Sequence, residues 1–352
     1  MDIGFYRYSL LNRGGDRLIV EYANHLAVSG HTVTIHVKRL NTMFTIHPNV
    51  HIQKVPCPGK AGFLFYGALR RFCHDIMVVD IIHLPLLLSI RNRVIYYAQA
   101  DDMEYYDNAL LRKAIDMLYT IYFRAGKPII SMSQHLTEIF NKRYAVHNVH
   151  TIKTGIDHAT FYPEPDEELI ASKKRSRAIV FMARGDAYRK GRDTALGVFE
   201  VLNKDAIAGL ELWVCGNFVD ENRYSFPVRN FGVVTDIRLR QILSSADIFF
   251  YPSRHEGFGL FPLEAMACGC VVVTTDAIPY ARTTSSILTS NVGDIHDLTR
   301  SISTLIMDET VLKNLKTRAR EESKKYDLSR SKIAFEFALS EIVKDKKYAH
   351  RH

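Results

Sequence analysis

The sequence predicts an α/β protein of two domains, each a parallel sheet with helices packed on it. Three observations carry the prediction. At 352 residues the chain is longer than one hydrophobic core usually organises. Short β-branched and apolar runs alternate with helical patterns in both halves, as parallel sheets require. Between the halves, Pro163 to Arg177 is polar and charged, with Pro163, Pro165 and the run Lys173-Lys174-Arg175, and reads as the linker.

Composition narrows the classes. Hydrophobic residues make up 47% of the chain, enough for buried cores. No run of about 18 uncharged apolar residues occurs, so no spanning helix is expected. The opening MDIGFYRYSLLNRGG carries charges inside its apolar stretch and reads as a strand and loop, not a secretory signal. Cys57, Cys73, Cys215, Cys268 and Cys270 lack paired metal-ligand spacing, so no metal site is expected, and reduced thiols in the cytoplasm are the simplest account. A formal charge of +8 comes without a nucleic-acid-binding pattern, so nucleic acid is not an expected partner. An anionic substrate and an anionic membrane surface explain the excess equally well.

In the first half, Ile3 to Tyr6 is a short strand leading into Asn12-Arg13-Gly14-Gly15, followed by a helix from Asp16 to about Ser29 and a strand from Thr32 to Val37. Glycines where a strand meets a helix bring main-chain N–H groups to a phosphate. The full dinucleotide fingerprint is absent, and a plain tight turn is the alternative. Gly62 to Val79 mixes Phe63, Leu64, Phe65, Tyr66, Leu69 and Phe72 with Arg70 and Arg71, next to Lys60. An apolar stripe edged with cations suits a helix in a membrane interface and a core-facing helix alike. Asp80-Ile81-Ile82-His83 is read as the start of a third parallel strand and Val94 to Ala98 as the fourth. Gln99, Asp101, Asp102 and Glu104 follow at the carboxyl end of that strand, where such sheets bind ligands, so these acids are candidate sugar or acceptor contacts. An ordinary acidic loop is the alternative. Ile129 opens a further strand, and Ser133 caps the helix after it.

In the second half, Ala178 to Ala183 is a strand delivering Arg184, and Lys190-Gly191 opens the next helix. A guanidinium fork and a mobile ammonium there suit phosphate oxygens. Leu210 to Cys215 is a strand ending at Gly216, Val228 to Phe231 is another, and Gly232 to Asp236, through Val234, turns into a helix. From Asp294 the pattern is helical: about Asp294 to Met307, Glu309 to Lys325 and Ser329 to Val343, with a basic tail.

The most informative stretch is Pro252 to Asp276, PSRHEGFGLFPLEAMACGCVVVTTD. Gly257 and Gly259 let a ligand approach the main chain, and Pro262 fits the first turn of a helix from Phe261 to Cys268. The start of that helix is a site for an anion. Glu256 and Glu264 sit in the same stretch, and a carboxylate accepts two hydrogen bonds from a vicinal diol. The ligand that satisfies both carries hydroxyls beside phosphates, as a phosphorylated sugar does. A capping role for Glu256 and a solvated one for Glu264 are the alternatives.

Glu256, seven residues and Glu264, set in EGFGLFPLEAMACG, resemble the signature of the retaining group 1 glycosyltransferases, family 4, of the GT-B fold. The resemblance implies two Rossmann-like domains facing each other across a cleft. Residues 1–163, with about 329–352 crossing back, would bind the acceptor, and 164–328 the donor. It implies transfer of a hexose from a uridine or guanosine diphosphate sugar to a hydroxyl of a saccharide or lipid-linked saccharide. Anomeric configuration would be retained and no cofactor or metal required, in cell-surface polysaccharide, lipopolysaccharide or glycolipid synthesis. Arg184 and Lys190 match the family's diphosphate-binding cations, and Gly14 and Gly15 its loop over the diphosphate. Glu256 would hold sugar hydroxyls and Glu264 the ribose diol, with amides of Phe258, Gly259 and Leu260 at the phosphate and Gly216 and Val234 on the nucleotide side. Many relatives carry a histidine where this chain has Gln99, which leaves Gln99, Asp101 and Asp102 as candidates for its place. A nucleotide-sugar epimerase of the same architecture and a non-catalytic nucleotide-sugar-binding subunit remain alternatives. Peripheral contact with an anionic membrane, on its cytoplasmic face, completes the expectation.

Overall fold

The computed structural model describes residues 1–173, 176–183, 186–205 and 207–345. Two compact units result: Met1–Thr154 joined by the segment from Ser329, and Gly155–Leu328.

The first unit begins with β1 (Asp2–Leu10), α1 (Gly14–Val28), β2 (Thr32–Leu40), β3 (Val50–Lys54), α2 (Gly59–Leu69), β4 (Ile76–Val79), α3 (His83–Leu88) and β5 (Val94–Ala98). After a 3-10 turn (Asp102–Tyr105) come α4 (Ala109–Arg124), β6 (Ile129–Ser131), α5 (Gln134–Tyr144) and β7 (Val149–Thr151). The strands form one parallel sheet in the order β3-β2-β1-β4-β5-β6-β7. The order turns back between β1 and β4, so the loops leaving those two strands diverge and open a crevice at their carboxyl ends.

Alternation along β1 assigns the two faces. Tyr6 stacks on Phe63 of α2 at 4.2 Å, within a core shared with Met77, Leu84 and Leu88. Phe5, one residue away, points to the other face, as strand geometry requires, and meets Phe335, whose ring stacks on Tyr22 of α1 at 4.3 Å. Phe335 belongs to α12 (Leu328–Lys344), so this helix completes the first unit's core. Its edge is pinned by Glu336, 2.9 Å from the Nε2 atoms of both His25 and His31, and by Lys332, 2.6 Å from Glu21. At its end, the Arg93 guanidinium donates to the Val343 carbonyl at 2.8 Å, the favourable place for a cation on a helix.

The second unit holds α6 (Glu167–Lys173), β8 (Arg177–Ala183), α7 (Arg192–Lys204), β9 (Leu210–Gly216), β10 (Val228–Gly232), α8 (Asp236–Ser245), β11 (Ile248–Tyr251) and α9 (Leu260–Cys268). β12 (Val271–Thr275), β13 (Ile287–Ser290), α10 (Ile295–Met307) and α11 (Glu309–Ser323) follow, with a 3-10 turn at Ala281–Thr283. Its parallel sheet runs β10-β9-β8-β11-β12-β13, with the switch of direction between β8 and β11. Strands such as β11 and β12 are buried throughout, which is why they read as unbroken apolar runs.

Three local readings are corrected. The strand expected to begin at Asp80 is Ile76–Val79, the fourth of the sheet, and Asp80 to His83 lie beyond it: Asp102 accepts the Ile82 amide at 2.6 Å and turns the chain into α3. Gly14 and Gly15 lie in the first turn of α1, not before it. The polar linker contains a helix, α6, whose Lys173 ammonium lies 2.7 Å from the buried Asp247 carboxylate. Two lysines, Lys173 and Lys316, flank Asp247, and against its burial they keep its pKa below the usual carboxylate range.

Candidate functional site

The second unit's switch point brings together the loop after β8 and the loop after β11. Lys190, from the first, places its ammonium 2.5 Å from Oε1 of Glu256, from the second. The same oxygen accepts the Tyr251 hydroxyl at 2.7 Å and lies 2.9 Å from Ser253 Oγ. Glu256 is thus held by a cation and two hydroxyls, and Lys190 also lies 5.5 Å from the Tyr251 ring centre. Burial, then the Glu256 charge, raise the Tyr251 hydroxyl well above the usual phenol range, so it stays a donor. Sequence reasoning missed Tyr251 and Ser253, because each reads as part of a strand end; the signal was their spacing of five and three residues before Glu256.

The two loops touch through the backbone as well. Arg254 donates its amide to the Arg189 carbonyl at 2.7 Å, and Gly191 sits at φ 64° against the Pro252 carbonyl. Lys190 and Arg192 line a recess at the carboxyl ends of β8 and β9, with Ala183 and Asn217 on its other wall. Arg192 opens α7 and is a second cation there that the sequence reading did not single out. Gly216 ends β9 beside this recess, and Val234 is half-buried just before α8. Arg184 lies outside the described residues.

α9 starts at Leu260, directly after Gly259 at φ 92°, a conformation glycine adopts without strain. Gly259 has no side chain to cap the helix, so the first-turn amides of Leu260 and Phe261 sit at the dipole's positive end with no side-chain acceptor from that cap. Tyr280 donates its hydroxyl to the Gly259 carbonyl and holds the turn. Phe258 is buried against Tyr280 and Tyr326, with ring centres 5.3 and 5.9 Å away. Glu264, one turn into α9, is 1% exposed. A buried carboxylate is the opposite of the solvated alternative, and its charge acts on both Tyr251 and Tyr280.

In the first unit, Gly15 and Gln99 meet at the carboxyl ends of β1 and β5. Gln99 Nε2 donates to the Gly15 carbonyl at 3.3 Å, and a β-carbon at position 15 would lie 2.2 Å from Gln99 Oε1. Beneath them, Arg7 bridges two buried acids, Asp16 at 2.7 Å and Asp80 at 2.5 Å, and Arg13 reaches Asp16 at 2.8 Å. Burial raises the Asp80 pKa, with Arg7 opposing it.

Asp101 and Asp102 were expected to face substrate, and their carboxylates are instead taken up inside the unit. Asp101 caps the 3-10 turn through the Met103 amide at 3.0 Å and pairs with Arg143. Asp102 accepts from the Ile82 amide and from the Tyr96 hydroxyl at 3.1 Å, and its own amide donates to Tyr119 at 2.8 Å. Burial pushes its pKa up to about 8. Both acids shape the loop that carries Gln99, and the side-chain bonds of Asp102 run through Oδ2.

Two parallel-sheet units, each with its switch-point loops turned into a polar site, define an α/β protein of the GT-B fold. Sucrose-phosphate synthase from Thermosynechococcus elongatus superposes with a TM-score of 0.78 at 15% identity, over 97% of this chain and 99% of that one. Anabaena HepE, crystallised with UDP-glucose, does so with a TM-score of 0.74 at 14% identity, over 97% and 100%. Residues 165–324, which include the Lys190 and Glu256 to Glu264 constellation, match the sequence family of glycosyl transferases group 1. That match covers less than half of this chain and lies within the second unit. Mannosylfructose-phosphate synthase of Agrobacterium fabrum is 24% identical over 319 residues, 73% of this chain and 70% of that protein.

Proposed function

We propose that this glycosyltransferase moves a hexose from a uridine or guanosine diphosphate sugar to an acceptor hydroxyl, with retention of anomeric configuration and without a metal ion. The observation that carries the reading is the Lys190–Glu256 pair at the second unit's switch point, beside the start of α9. A diphosphate arriving there would draw Lys190 from Glu256, freeing that carboxylate for the hexose hydroxyls. Charge grows on the departing diphosphate as the C1–O bond breaks, and Lys190 with the first-turn amides of α9 would stabilise it. The new bond joins C1 to the acceptor oxygen on the same face, and the acceptor proton passes to the departing phosphate oxygen. Glu264 would take the ribose diol, its burial raising the strength of those hydrogen bonds. The likeness to HepE, which binds UDP-glucose, supports a nucleotide sugar donor. The first unit is assigned the acceptor, a saccharide or lipid-linked saccharide of cell-surface polysaccharide, lipopolysaccharide or glycolipid synthesis, with Gln99 as a polar contact.

The test is transfer from a panel of uridine and guanosine diphosphate sugars to saccharide acceptors, with EDTA present and the product anomer read by NMR. Retained product in EDTA is expected. Inverted product, or activity that returns only with magnesium, overturns the mechanism. Conversion of the donor without acceptor identifies an epimerase, and donor binding with neither hydrolysis nor transfer identifies a silent binding subunit.

A further inference from the structure

The first unit has a second polar corner at the carboxyl ends of its strands, on the face of the sheet opposite α1. Right-handed crossovers put α2 and α3 together on that face, and α2 packs on both β1 and α3. α2 turns Phe63 and Gly67 into the core. Tyr8, near the end of β1, is half-buried with its ring 5.4 Å from that of Phe63. The Arg39 guanidinium, from the end of β2, lies 5.6 Å from the centre of the Tyr8 ring. Lys60 stands one turn before Phe63 on α2, and its charge reaches His83, the half-buried first residue of α3. Burial, then the Lys60 ammonium, hold the His83 imidazole below its usual pKa and keep it neutral.

The partners of these four side chains are missing. Among the described residues no carboxylate pairs with Arg39 or Lys60, and neither the Tyr8 hydroxyl nor the His83 ring makes a hydrogen bond. The guanidiniums nearest in sequence to β1's carboxyl end are engaged, Arg7 with Asp16 and Asp80 and Arg13 with Asp16. A single unpaired cation on a surface is ordinary. Here two from different elements flank a half-buried ring and an imidazole, with no acid among them, at the end of the sheet where its order turns back. Charge left over in this way favours a negative partner.

We infer that this corner receives a phosphate carried by the acceptor, which is therefore a phosphorylated saccharide: a sugar phosphate or a sugar linked through a diphosphate. The inference rests on the assignment of the acceptor to the first unit. Arg39 supplies a fork of N–H donors and Lys60 a mobile point charge. The Tyr8 hydroxyl and the neutral imidazole each add one donor. The three oxygens of a phosphate take all of these, whereas a carboxylate offers two. A neutral saccharide would leave both cations unmatched.

The experiment is calorimetry of the full chain with glucose 6-phosphate and with farnesyl-diphosphate-linked N-acetylglucosamine. Each is compared with its phosphate-free counterpart, glucose or farnesyl N-acetylglucosaminide, and glucuronate stands for a carboxylate. One phosphorylated probe is expected to bind at least about tenfold more tightly than its counterpart, and which one binds separates a soluble sugar phosphate from a lipid-linked diphosphate. Arg39→Gln with Lys60→Gln should lower that affinity about 10²-fold, about tenfold for each charged bond lost. Both side chains are exposed, so an unchanged thermal midpoint shows that the variant is folded. Lys190→Ala, which alters the second unit's phosphate-facing cation, should leave the affinity intact. Binding of neither phosphorylated probe, equal affinity without the phosphate, glucuronate bound as tightly, or affinity that survives in the Arg39 and Lys60 variant, each overturns the inference. Failure of the reaction proposed above shows separately, as absence of transfer from every nucleotide sugar.

Discussion

A β-carbon on Gly191 would lie 1.8 Å from the Pro252 carbonyl oxygen. The loop before α7 and the loop after β11 therefore meet through their main chains, and this contact sets Lys190 beside Glu256. Gly191→Ala would have to open it while also straining a φ of 64°. We expect a loss of about 2 kcal/mol or more in stability, the scale of such backbone incompatibilities. Turnover should fall further than the thermal midpoint explains. A variant with the parent's melting curve and activity would show that the loops pack independently.

Lys190→Ala should lower kcat roughly 10²-fold, as loss of a group facing transition-state charge does. Stability should change little, since the ammonium is partly exposed and such ion pairs contribute about 1 kcal/mol or less. Steady-state kinetics against a thermal scan separates the two effects, and near-normal kcat would remove Lys190 from the reaction.

Glu264→Gln keeps the shape of a buried side chain and removes its charge. Nucleotide diphosphate affinity is expected to fall by about one to two units of log Kd, the range for hydrogen bonds to a charged group. Calorimetry measures it directly. Unchanged affinity would leave Glu264 as a packing residue of α9.

Asp102 provides a pH signature. Its carboxyl has a folded pKa of about 8, raised by burial, whereas an unfolded aspartate titrates near about 4. Between those values the folded state binds the extra proton, so this group's contribution to stability falls as pH rises from about 4 to about 8. Asp102→Asn cannot ionise. The stability gap between parent and variant, read from urea midpoints, should move in the variant's favour between pH 5 and pH 8. A gap independent of pH would mean that Asp102 is already ionised in the fold.

What could be read from the sequence was what is local. Glu256, Gly259, Pro262 and Glu264 lie within one turn and one helix, and their spacing alone places them together. α10 and α11 were legible for the same reason, each a local helical pattern opening at an acidic cap, Asp294 or Asp308. The acids after β5 were misjudged because their partners are distant: Arg143 lies 42 residues from Asp101 and Tyr119 lies 17 from Asp102. Ile81 and Ile82 suggested a strand by β-branching, but the Asp102 carboxylate holds Ile82 out of the sheet. In α4, apolar residues on two faces blurred the helical period, and only burial distinguishes the core face from the outward one.

The second unit is one uninterrupted stretch of chain, whereas the first is assembled from two stretches separated by the whole of the second. On a ribosome, then, the sheet that carries Lys190 and Glu256 has every residue it needs before the first unit has received Phe335. Until that ring arrives, Phe5 and Tyr22 lack the aromatic neighbour they stack on. The N-terminal portion would emerge first and mature last, with the faces of Phe5 and Tyr22 that Phe335 covers left open until translation passes α12.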